Sequence, residues 1–144
     1  MGRLRILIAD SNQDIRESMR QLVEATGADV SLTLAADGQD AINMALSGRP
    51  HVAMLDIGLH KVDVLTVIRH LRRRVPEMRI IIMLTDDNKE YRVAAQRAGA
   101  CAAIAKASLN EDWMRTIICL LEDCQGSLDG STVALPELNN CERW

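Results

Sequence analysis

The feature that most constrains this chain is a repeated pattern. A short apolar run stops on a polar residue, and a stretch with helical period follows. "LRILIA" runs into Asp10, "HVAML" into Asp56, "RIIIML" into Thr85 and "CAAIA" into Lys106. Near-continuous apolar runs of this length read as strands buried on both faces, and helical crossovers between them make the strands parallel. A further run, "VSLTL", alternates as a strand nearer an edge does.

The crossovers carry the helical signals. Ile15, Met19, Leu22 and Val23 share one face ahead of Gly27, and Asp37 with Gly38 opens a helix burying Ala41, Ile42, Ala45 and Leu46. Val64, Leu65, Val67, Ile68 and Leu71 repeat the pattern up to Pro76. A helix is expected from about 87 to 98. A last one, with Trp113, Ile117, Leu120 and Leu121 inward, follows a capping box of Ser108 and Glu111. Five strand–helix units predict an α/β fold: a doubly wound five-stranded parallel sheet with five helices. From Gln125 the pattern lapses. The expected division is a domain over 1–124 and a tail, linker or partner-binding segment over 125–144.

With no Phe in 144 residues, the core must be built from Ile, Leu, Val, Ala and Met. A net charge of −3 argues against nucleic acid as partner, and "RHLRRR" ends a helix, where cations suit the negative pole. No apolar stretch is long enough for a bilayer and the start does not read as a signal peptide, so a soluble, cytoplasmic protein without a membrane partner is expected. The four cysteines form no C-x-x-C pair and read as incidental thiols.

In an open parallel sheet, ligands bind outside the carboxyl ends of the strands. Asp10, Asp56, Thr85 and Lys106 all fall there and can converge although distant in sequence. Two carboxylates, a hydroxyl and an ammonium suit a small hard cation such as Mg²⁺ and a phosphoryl group, and an aspartate can serve as nucleophile through an aspartyl-phosphate. The plainer alternative makes each a polar cap on a strand. That explains any one of them better than all four.

Over roughly residues 3 to 124, "ILIADSNQDIRESM", "VAMLDIGLHKVDVL", "IIMLTDD" and "GACAAIAKAS" together resemble the CheY-like receiver domain of two-component response regulators. The resemblance implies a flavodoxin-like sheet of order 2-1-3-4-5. It implies Asp56 as phosphoacceptor from a histidine kinase or phosphotransfer protein, with Asp10 and the Gly58 carbonyl as Mg²⁺ ligands. Thr85 and Lys106 would answer the phosphoryl group. A downstream protein, or a second copy, would bind the face of fourth helix, fifth strand and fifth helix. Such a domain catalyses only its own phosphoryl transfer and dephosphorylation.

Three positions depart from the family pattern. Ser11 stands where a second acid touches the metal, so Mg²⁺ affinity should fall, with Asn12 or Asp14 as compensation; the plainer reading makes Ser11 a helix N-cap. His60, Lys61 and Val64 replace a proline and two glycines, so the loop after Asp56 should take a different path, with His60 facing solvent and Lys61 able to lend positive charge. Ala103 replaces an aromatic ring, so any signal must leave through the loop after Thr85. Tyr91 on the fourth helix reads as packing, and Asp86 and Asp87 as caps. The competing readings are a pseudo-receiver that docks or dimerises without phosphate, and a small nucleotide or flavin enzyme, against which the missing glycine-rich loop counts.

Overall fold

The structure is a computed structural model that describes residues 3–86, 88–112, 114, 115, 117 and 118, and the backbone of 141–143. In chain order its elements are β1 (Leu4–Ala9), α1 (Gln13–Ala25), β2 (Val30–Ala35), α2 (Gly38–Gly48), β3 (Val52–Asp56), α3 (Val64–Arg74), β4 (Arg79–Leu84), α4 (Lys89–Ala98), β5 (Ala102–Ala105), a 3-10 turn (Lys106–Ser108) and β6 (Cys141–Arg143). The first five strands pair in parallel in the order β2-β1-β3-β4-β5. This is the doubly wound, flavodoxin-like sheet expected. Beyond it, β6 pairs antiparallel with the outer edge of β5.

The strands split their side chains between two cores. On one side Leu7, Ala9, Ala53, Leu55, Ile80, Ile82, Leu84 and Ala103 pack under α2, α3 and α4. On the other, Leu4, Ile6, Ile8, Val52, Met54, Ile81, Met83, Ala102 and Ile104 meet Met19 and Val23 of α1 with Met114, Ile117 and Ile118. Period-two alternation drives the split, since neighbours along a strand point to opposite faces. β2 is only half-buried, as an edge strand should be.

Several helix starts lie away from their expected places. Asn12 caps α1 by accepting from the amides of Asp14 and Ile15, so Ser11 is not the N-cap. Asn88 caps α4, which starts at Lys89; Asp87 lies outside the described residues, as do Trp113, Leu120 and Leu121. Ser108 sits inside the 3-10 turn and helical residues begin at Glu111, so the expected capping box does not form there. Helical residues Glu111, Asp112, Met114, Arg115, Ile117 and Ile118 occupy the place of the fifth helix.

Candidate functional site

The carboxyl ends of β1, β3 and β5 deliver three charges to one point. Continuing the alternation past each strand puts Asp10, Asp56 and Lys106 on the side of Ile8, Met54 and Ile104. Lys106 Nζ lies 2.6 Å from Asp10 Oδ2 and 2.7 Å from Asp56 Oδ1. Both acids are buried, at 1% and 6% exposure, and an unpaired buried carboxylate is costly, so the lysine supplies the partner that their burial requires.

Each remaining oxygen is held by the backbone next to it. Asp10 Oδ1 accepts from the Asn12 amide at 2.9 Å, and Asp56 Oδ2 from the Gly58 amide at 3.0 Å. Asp56 Oδ1, though beside the ammonium, receives no aligned hydrogen bond. Arg16 donates to the Asp10 carbonyl at 2.6 Å and fixes the end of β1. Burial pulls the Lys106 ammonium toward neutrality, but its close contacts with Asp10 and Asp56 and their charge attraction outweigh that and raise its pKa above the ordinary value.

Two carboxyl groups share one lysine at the mouth of the sheet. The donors fit a small hard cation: two carboxyl groups brought to one point, and one carboxylate oxygen without an aligned donor. Side chains supply no third acid, since no group of three His, Cys, Asp or Glu gathers among the described residues. Ser11 does not turn to the carboxylates. Its Oγ accepts from the His60 amide at 3.1 Å.

Thr85 follows β4 directly and is exposed, so the structure does not close it onto the charged cluster. Ala103 is buried beneath α4, as its strand position requires. Tyr91 is half-buried against that same core; burial, then the charges of Asp63 and Asp56, push its phenol up. His60 is exposed. Lys61 Nζ pairs with Asp37 Oδ2 at 3.2 Å, so its charge is engaged at the start of α2.

In the loop after Asp56, Lys61 adopts φ +68°, the left-handed conformation that glycine enters without steric cost. Its side chain reaches Asp37 from there. Sequence reasoning had read Asp37 only as a helix opener, yet it is buried, caps α2 through the Asp40 amide and anchors this loop. The only signal was its place beside a glycine at a helix start.

An ammonium bridging two buried aspartates on an order 2-1-3-4-5 sheet matches a known family. The response regulator receiver domain profile covers residues 6–118. The chain belongs to that family. This receiver is 32% identical to the response regulator MprA of Mycobacterium avium over 132 residues, covering 92% of this chain and 57% of that one. It is 33% identical to MprA of Mycobacterium tuberculosis over 118 residues, covering 82% and 50%. The chain thus spans little more than half the length of these curated relatives. Among solved structures, the CheY-like receiver from Methanospirillum hungatei superposes with a TM-score of 0.71 at 26% identity, covering 89% of this chain and 95% of that one. The receiver domain of an HD domain-containing protein from Pseudomonas fluorescens gives 0.78 at 19% identity, covering 88% and 99%, a likeness of fold alone. Among the described residues no helix is long and apolar enough to cross a membrane.

Proposed function

We propose that this receiver accepts a phosphoryl group on Asp56 from a phosphohistidine of a histidine kinase or phosphotransfer protein, and that the modified domain changes which protein it binds. One observation carries the reading: Asp56, buried at the end of β3, has an oxygen 2.7 Å from Lys106 that no aligned donor occupies. The P–N bond of the donor breaks as a P–O bond to Asp56 forms, and the histidine nitrogen leaves with the electron pair. Lys106 offsets charge on the transferred group and Asp10 holds Lys106 in position.

Asp10, Asp56 and the Gly58 carbonyl would hold Mg²⁺, which would supply positive charge to offset that of the phosphoryl oxygens. With Ser11 engaged elsewhere, this set is one anion poorer than the family pattern, and its affinity is correspondingly weak. Thr85 stands outside the cluster and would have to move inward to touch the phosphoryl group. The added charge of roughly −1.5 to −2 supplies the force for that movement. Residues 1–124 act as the phosphorylated unit. The downstream partner or second copy binds the face of α4 and β5.

Intact mass after incubation with a small phosphoryl donor, with and without Mg²⁺ and beside Asp56→Asn, tests the reading. A gain of one phosphoryl group that needs Asp56 and Mg²⁺ supports it. Folded protein that gains nothing at any Mg²⁺ concentration removes it.

A further inference from the structure

We infer that Ser11 is a positioning residue, a neutral latch on the loop that follows Asp56, and that it fixes this loop whether or not a cation is present. The inference rests on the phosphorylation reading above for its consequence, and on the hydrogen bonds alone for its existence. Ser11 is half-buried, and its Oγ accepts from the amide of His60, a residue 49 positions away. The carbonyl of His60 in turn accepts from the amides of Gly38 at 2.9 Å and Val62 at 2.8 Å. The His60 peptide is thereby clamped by three segments: the end of β1, the start of α2 and its own loop.

Only Ile57, Gly58 and Leu59 separate this clamp from Asp56. The near end of that segment is also pinned, by the Ile57 amide to the Met83 carbonyl at 3.2 Å, and Leu59 is buried. The carboxylate of Asp56 and the carbonyl of Gly58 therefore sit on a short span held at both ends. A carboxylate at position 11 could accept the same amide, but a cation would compete for it, tying loop geometry to metal occupancy. A serine hydroxyl, uncharged, faces much weaker competition. The substitution that thins the metal site also makes the loop independent of it.

Ser11→Ala removes the acceptor with little change of volume, and Ser11→Thr restores a hydroxyl. Amide exchange at His60 should rise about three- to tenfold in Ser11→Ala, the loss of one net hydrogen bond, with amides of β1 and β4 unchanged. Ser11→Thr should return it toward the wild-type rate. Mg²⁺ should leave the His60 amide unmoved in wild type and shift it in Ser11→Asp. Phosphorylation of Asp56 by a small phosphoryl donor should slow by a similar factor in Ser11→Ala, with rescue by Thr. Equal His60 exchange in wild type and Ser11→Ala overturns the latch. Raised His60 exchange in Ser11→Ala with an unchanged phosphorylation rate overturns its positioning role. A wild type that takes up no phosphoryl group ends both that role and the phosphorylation reading, while His60 exchange still decides whether the latch exists.

Discussion

The ammonium of Lys106 lies 2.7 Å from Asp56 Oδ1 and shares its other contact with Asp10, so one cation holds two buried anions from different strands. Removing the cation should cost more than removing either anion. Lys106→Met leaves two carboxylates facing each other in a dry site and should destabilise by about 3 kcal/mol, within the range for breaking buried pairs. Adding Asp56→Asn should recover part of that loss, because one of the repelling charges is gone. Urea denaturation of the two single variants and the double variant measures the coupling. Strict additivity would contradict the shared bridge.

The same bridge sets an alkaline limit. The Lys106 pKa is raised in the folded state, so its contribution is full below the ordinary value of 10.5 and is lost as pH rises through the folded value. Tyr91, raised from 10.0, and Cys101, raised from 9.0 by burial, lose stability in the same direction. Stability should therefore decline from about pH 9 upward, in overlapping steps. Thermal melts from pH 8 to pH 11 should show Lys106→Met flattening the highest of these steps and Tyr91→Phe flattening an earlier one.

One substitution should act in opposite directions at the two ends of α2. A Cβ on Gly38 would fall 2.4 Å from the Val62 carbonyl oxygen, so Gly38→Ala must push the loop that carries His60 and should cost about 1–3 kcal/mol. Helix propensity returns at most about 1 kcal/mol, and the clash wins. At Gly48 nothing lies within 4 Å, and Gly48→Ala should stabilise by about 0.5 kcal/mol. Paired urea titrations read both signs.

Thr85 is exposed at the end of β4, so Thr85→Ala should change stability by no more than about 0.5 kcal/mol. Any larger effect of this variant should appear only after phosphorylation, as a changed rate of aspartyl-phosphate loss. A substantial drop in thermal midpoint without phosphate would mean that Thr85 already packs into the site.

The sheet and the meeting of three charged residues at its edge were legible because burial leaves strong marks. An apolar run that ends on Asp10, Asp56 or Lys106 states both a strand and the end at which it stops. What stayed hidden depended on choices between chemically similar neighbours. Ser11 and Asn12 both cap helices well, and only geometry assigns the cap to Asn12 and the loop contact to Ser11. A lysine at positive φ leaves no trace in a sequence, and the pairing of Lys61 with Asp37, 24 residues earlier, leaves none either. Strand β6 pairs in a segment with no period to announce it.

The division of each strand between two cores has a consequence for how this gene can change. Ile8 and Asp10, Met54 and Asp56, and Ile104 and Lys106 are each separated by one intervening residue, and that spacing aims all three charges to one side. Deleting or inserting a single codon between anchor and charge would rotate that charge to the opposite face, among the apolar side chains under α2 to α4. In-frame length changes in β1, β3 or β5 should therefore be lethal to the site in steps of one and least harmful in steps of two. A deep insertion–deletion scan would reveal the fold's parity as a two-residue rhythm in survival.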